Sequence, residues 1–321
     1  MPMHFFTSGS PGAVWSRPSD WLAMPADAAN KVSILTAVFN TASNYVAVKA
    51  SVSSGTYDVN WGDGTTSTGV ASGTQANHTY TYASISSGTL SSLGYRQAII
   101  VITPTTGGAN FTALDLGVKN TRTGLVTGTQ PYLDILVNAP LCTSFVTYST
   151  NNCGLAQKIV LSAMGSITGA ANMFFSCTSL SSLVLPSGFG GAITTATNMF
   201  LNCYSLSSLV LPSGFGGAIT TATSMFQGCV SLSSLVLPSG FGSAITTTTS
   251  MFTGCSALEY VVFACPVTIS VASCRMAGAE LNALFTALPV AVAQTITVTG
   301  NHGAPDCTPS IATLKGWTVT T

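Results

Sequence analysis

The sequence predicts a mainly β chain: an N-terminal β-sandwich, then a solenoid of stacked 26-residue coils, then a small α/β cap. Three observations carry that reading. The block Ser-Leu-Ser-Ser-Leu-Val-Leu-Pro-Ser-Gly-Phe-Gly at 179–190 returns letter for letter at 205–216 and 231–242, and Cys177, Cys203, Cys229 and Cys255 keep the same 26-residue spacing. A fixed period of this length marks a solenoid, in which each coil buries its apolar side only against its neighbours. Between 28 and 105, alternating and β-branched stretches are separated by Gly, Asn, Asp and Ser. Charged residues are 6% of the chain, against about 25% in an ordinary globular protein.

Residues 1–27 are expected to form an extended arm. Pro2, Pro11, Pro18 and Pro25 exclude a long helix. Phe5, Phe6, Trp15 and Trp21 are candidate docking residues, because aromatic side chains make effective interface anchors. The competing expectation is that they pack on the adjoining sandwich.

Residues 28–105 carry the sandwich. Val32–Phe39, Tyr45–Val52, Thr56–Trp61, His78–Tyr82 and Arg96–Thr103 are its expected strands. Gly62-Asp63-Gly64 makes a tight turn, with Asp63 bonding its own backbone rather than holding a metal.

Residues 106–258 carry the solenoid. Leu114-Asp-Leu116, Leu133–Val137 and Ile159–Leu161 are expected as its irregular opening coils, since an end must be capped. Within a regular coil, Leu206-x-x-Leu209-x-Leu211 suits a short strand, with Leu209 and Leu211 inward and Val210 outward. Pro212 and Gly214-Phe-Gly216 then turn the chain. Stacking predicts ladders of Leu183, Leu209 and Leu235, of Leu185, Leu211 and Leu237, and of the cysteines. Seven or eight coils would span roughly 35 Å at strand spacing. Ser182, Val184, Ser208, Val210, Ser234 and Val236 then point outward and form the candidate contact face. The alternative is an ordinary solvated sheet face.

Residues 259–321 are expected to hold the last coil and the cap: a strand at Tyr260–Phe263, a helix over Ala279–Leu288, a strand over Gln294–Gly300, a short helix over Pro309–Lys315 and a final strand from Trp317.

Two resemblances join this reading. Met199-Phe200-x-x-Cys203-x-Ser205-Leu206-x-x-Leu209-x-Leu211 resembles the BspA-like leucine-rich repeat of bacterial and phage surface proteins. That resemblance implies a leucine-rich-repeat solenoid used for adhesion or display. Val59-Asn-Trp-Gly-Asp-Gly-Thr65 with His78-Thr-Tyr80 resembles the PKD (polycystic kidney disease) domain. It implies an immunoglobulin-like β-sandwich acting as a spacer or docking module. Leu281–Pro289 and Thr295–Asn301 resemble the closing segment of phage-encoded proteins with this repeat.

Chemistry is sparse. Nine acids and three histidines are scattered, with no obvious carboxylate pair for glycoside hydrolysis. Gly188-Phe-Gly190 starts like a dinucleotide fingerprint, but Ile193 stands where its last glycine belongs. No catalytic residue, cofactor or metal site is expected, and His302 with Cys307 is read as a loop and a buried thiol. The nine cysteines lack a Cys-x-x-Cys. Disulfides between Cys142 and Cys153, or between Cys265 and Cys274, stay open. Asn77 and Asn110 open glycosylation sequons that are expected to stay bare without export.

The net charge is zero, with no basic cluster, so nucleic-acid binding is not expected. No run of 18 apolar residues predicts membrane insertion. A surface-type repeat without a recognisable secretion signal predicts a multi-copy virion protein, assembled in the host cytoplasm and displayed on the virion exterior. Its expected partners are capsid or tail proteins and a host-surface glycan or protein. A bacterial surface adhesin is the alternative, and a glycan-degrading enzyme the remote one.

Overall fold

The computed structural model describes residues 15–40, 44–120, 129–149 and 152–321. The alternating N-terminal stretches become β1 (Lys31–Val38), β2 (Asn44–Val52), β3 (Thr56–Asn60), β4 (Thr66–Ala71), β5 (Gln75–Tyr80) and β6 (Arg96–Pro104). β4 has no counterpart among the expected strands. β7 (Phe111–Asp115), β8 (Tyr132–Ala139), β9 (Ser144–Val146) and β10 (Lys158–Met164) follow. The regular coils contribute β11 (Ser182–Val184), β12 (Ser208–Val210) and β13 (Ser234–Val236).

Two sheets face each other across one apolar core. The larger runs β11-β10-β8-β1-β6-β3-β4 and the smaller runs β5-β2-β7-β9. The Tyr132 hydroxyl, buried between them, donates to the Ala47 carbonyl at 2.8 Å.

The sandwich and the solenoid are not separated at residue 105. β8 pairs antiparallel with β1 and parallel with β10. β7, expected as an opening coil, pairs antiparallel with β2 and parallel with β9. Both sheets therefore run through the junction, and the sandwich closes the first end of the stack. The core is continuous from Val32 to Trp317.

Along the stack, Ile135, Ile159 and Leu183 are register partners, as are Leu209 and Leu235. The expected step from Leu183 to Leu209 is missing as a strand ladder, because β11 ends one sheet and β12-β13 form another. Three-residue strands leave few hydrogen bonds to give. Most coil-to-coil bonding comes from the opposite segment instead. There the Ala170, Ala196 and Ala222 amides donate to the Thr195, Thr221 and Thr247 carbonyls, each at 2.9 Å. Asn172, Asn198, Ser224 and Ser250 hold positive φ at one offset in that segment.

Phenylalanines fill the centre. Phe174, Phe200, Phe226 and Phe252 stack with centroids 5.3, 5.4 and 5.7 Å apart, and Phe189, Phe215 and Phe241 stack at 6.3 Å steps. Gly190 and Gly216 lie directly under the ring of the following coil. A Cβ on Gly216 would sit 2.2 Å from the Phe241 ring.

The expected strand at Tyr260–Phe263 is reduced to one bridge, between Ser234 and Tyr260. The expected cap is a continuation of the solenoid. β14 (Ile269–Ser270), β15 (Gln294–Thr297) and β16 (Trp317–Thr320) form a parallel sheet, with α1 (Gly278–Ala287) and α2 (Ser310–Thr313) as connections. Among the described residues no helix is long and apolar enough to cross a membrane.

The described part of the arm is not free. Trp21 is 6% exposed and packs with Leu35, Ala37, Tyr95 and Leu133 in a second core on the outer face of the larger sheet. Its indole N–H donates to the Tyr95 hydroxyl at 2.9 Å.

Candidate functional site

The candidate face is built by strand alternation. Leu209 and Leu235 turn inward, so Ser208, Val210, Ser234 and Val236 face solvent, paired Ser208 with Ser234 and Val210 with Val236. β11 repeats this with Val184 outward and Ser182 half-buried. Val184, Val210 and Val236 are 48%, 70% and 47% exposed. The row begins earlier, since Leu136 pairs with Val160 and Val160 with Val184. From Ile159 to Leu258 there is no Asp, Glu, Lys, Arg or His. The face is therefore a stripe of methyl groups beside a stripe of hydroxyls. It offers van der Waals contact and neutral hydrogen bonds, not proton transfer.

The N-terminal segment covers the start of this row. Arg17 and Met24 enclose a cleft of about 330 Å³ with Asp134, Leu136, Lys158 and Val160. The Arg17 guanidinium meets the buried Asp134 carboxylate at 2.8 Å and also donates to the Trp21 carbonyl. The half-buried Trp15 stands 6.3 Å from the Trp21 ring, with the Lys158 ammonium 5.8 Å from its own ring. Trp15 and Trp21 thus clasp the chain to itself. This corrects the docking expectation for Trp21, whose ring is already buried. Phe5 and Phe6 lie outside the described residues. A second cleft, of about 400 Å³, opens where Pro140–Leu141 and Gly165–Ser166 face the Pro186–Gly191 turn.

Eight of the nine cysteines are buried, whereas Cys307, expected as a buried thiol, is half-exposed. All nine cysteines are free. Cys203, Cys229 and Cys255 sit within 3.0–3.2 Å of the carbonyls of Phe174, Phe200 and Phe226, so each S–H donates to an earlier coil. Burial pushes the Cys177 and Cys229 thiols up to about 12. A thiol that holds its proton is a poor nucleophile and metal ligand.

Several of the acids are spent on structure. Asp63 accepts from the Thr65 amide at 3.0 Å and the Thr65 hydroxyl at 2.6 Å, and lies 2.8 Å from His78 Nε2. Burial raises its pKa, but the bonds from Thr65 and His78 outweigh that and leave it below its ordinary value. His78 in turn stacks on Trp61, with centroids 4.9 Å apart. Asp20 accepts from the Ser92 amide, which lowers its pKa. Burial raises that of Asp115, which accepts from the Gly117 amide at 2.9 Å. Among the described residues no three of His, Cys, Asp and Glu stand close enough to hold a metal ion.

Two structural features escape the sequence reading. The clasp around Asp134 joins residues 117 positions apart, and no local pattern announces it. The other is a second, mostly half-buried column. Thr195, Thr221 and Thr247 are bridged in line, and Ser270, Thr297 and Thr320 are partners in the later coils. Recurrence of Thr at one offset in each repeat is the signal that marks it.

Residues 143–274 match the BspA type leucine rich repeat region, in six copies. Searches of curated proteins and of solved structures found no match.

Proposed function

Taking a BspA-type repeat stack fused to a sandwich as the premise, we propose that this chain is a non-enzymatic phage virion protein of the tail or the capsid surface. In this reading the sandwich attaches and the solenoid displays. The PKD-like motif around Trp61 and Asp63, an immunoglobulin-like spacer signature, supports the first role. The closing segment resembling phage-encoded repeat proteins supports the particle. Attachment falls to the sandwich and its partners in the particle rather than to Trp15 and Trp21, which the chain's own sheet occupies.

The observation that carries the display role is the in-register row of Val184, Val210 and Val236 beside Ser208 and Ser234, on a stretch without ionisable side chains. A broad neutral face of this kind suits a glycan or protein surface on the host. It is poorly suited to nucleic acid, whose binding needs clustered positive charge.

Electron microscopy of purified particles, with the chain located by antibody, tests the placement. Labelled particles are the expected result. Particles without the chain would sink the reading, and label in the host envelope without phage genes would transfer it to a bacterial adhesin. A Val210→Arg/Val236→Arg variant should keep its fold and lose binding to host cells. Sugar release by the pure protein, lost on changing one acid, would show an enzyme instead.

A further inference from the structure

The cleft beneath the N-terminal segment has binding capacity that the chain does not use. Strand alternation sets Asp134 and Leu136 of β8 beside Lys158 and Val160 of β10 on the outer face, while Ile135 and Ile159 turn inward. Arg17 and Met24 complete the walls and leave about 330 Å³ open. Ligand pockets run from about 300 to about 1,000 Å³, so this one has room for a single ring rather than a chain.

Its polar groups are only half paired. The Arg17 Nε donates to Asp134 Oδ2 at 2.8 Å, and its two Nη atoms donate to the Trp21 and Leu22 carbonyls. Asp134 Oδ1 receives no donor among the described residues, although its side chain is 2% exposed. A carboxylate oxygen left that way is costly unless something else donates to it. Lys158 is the neighbour of Asp134 across the ladder. Yet among the described residues its ammonium pairs with no carboxylate and donates to no carbonyl, and it stands 5.8 Å from the Trp15 ring. The chain has nine Lys and Arg residues, and Lys31, Arg96 and Lys315 all donate to backbone carbonyls. An acceptor without a donor and a donor without an acceptor thus line one small cavity.

We propose that this cleft binds the end residue of an acidic glycan, a sugar that carries a carboxylate. Arg17 neutralises Asp134, so Lys158 is the surplus charge and the sugar carboxylate meets it in a charge-assisted bond. A neighbouring sugar hydroxyl donates to Asp134 Oδ1. The C–H face of the ring lies on Leu136 and Val160. A neutral sugar leaves Lys158 unpaired, and a cationic ligand meets it as a like charge. Leu136 and Val160 are also the first members of the outward row that continues to Val184. The cleft is therefore the charged anchor, and the sugars that follow run onto the neutral face of Val210, Val236, Ser208 and Ser234. The inference deepens the display reading and rests on it for the host as the source of the sugar.

Saturation-transfer NMR on the full chain tests it, with glucuronate, N-acetylneuraminate and glucose as probes. At least one of the two acids should bind with a Kd of about 1 mM, and glucose at least about tenfold more weakly. The acid that binds identifies which carboxylate-bearing sugar is taken. Lys158→Gln breaks no internal hydrogen bond, so it should weaken the acid at least about tenfold and leave the circular dichroism unchanged. Val160→Trp fills the cleft and should abolish binding. Should the tryptophan variant unfold, the glutamine variant decides. Glucose binding as tightly as the acids, no saturation by either acid at about 10 mM, or acid binding that survives Lys158→Gln would overturn the proposal. Electron microscopy fails separately: a chain that binds the acid but is absent from particles loses the virion reading and keeps the site.

Discussion

At Gly216 the backbone needs both a positive φ, +81°, and an empty space, because the Phe241 ring occupies the position a Cβ would take. At Gly214 φ is also +81° but nothing lies within 4 Å. The two positions separate strain from collision. Gly214→Ala should cost about 1 kcal/mol for the left-handed backbone alone. Gly216→Ala should cost about 3 kcal/mol once overpacking is added. Thermal melting of the two variants checks the difference, and equal losses would refute the packing account. The buried thiols set a second residue-scale expectation. Their folded pKa, about 12 at Cys177 and Cys229, stands above an ordinary 9.0. The unfolded chain therefore loses these protons first, so the stabilisation is complete below about pH 9 and fades as pH climbs toward about 12. Urea midpoints measured across that range should fall with pH, and Cys229→Ala should flatten the slope.

Among the elements, the segment bearing Arg17 is held to the outer face of β8 by the Arg17–Asp134 ion pair, with Asp134 nearly fully buried, and by Trp21 packed on Leu133. Removing one partner strands a charge. Arg17→Ala should cost about 3 kcal/mol and expose residues 15–24 to hydrogen exchange. Arg17→Ala/Asp134→Ala together should cost less than the two single losses added, because neither charge is then left alone. Strict additivity in that cycle would mean the pair does not hold the clasp. The clasp also bounds the candidate face, since it covers Leu136 and Val160 and leaves the row open from Val184 onward.

For the molecule as a whole, the shared strands decide how it unfolds. β7 and β8 each pair with the sandwich on one side and with a coil on the other. A solenoid joined in this way has no boundary at which to separate. Calorimetry should give one cooperative transition for the full chain. A fragment of residues 28–105 lacks both shared strands and should be unfolded by circular dichroism. An independently folded fragment, or two resolved transitions, would restore the sandwich as a separate unit.

What could be read from the residues follows from periodicity. Alternation located β1, β2, β3, β6 and the second half of β5, and the exact repeat identified the coil, its inward leucines and the outward Ser208, Val210, Ser234 and Val236. Those features depend on neighbours within one coil or on the same offset in the next, so the linear pattern contains them. Only the tertiary structure decided that β7 and β8 are shared, that Trp21 turns inward on Tyr95, and that the C-terminal segment continues the stack through β16. Each of these is a pairing between distant residues with no repeated spacing. Strand edges look alike in sequence whichever partner they take. The choice is made by which apolar faces can be buried together, and that is a property of the folded chain.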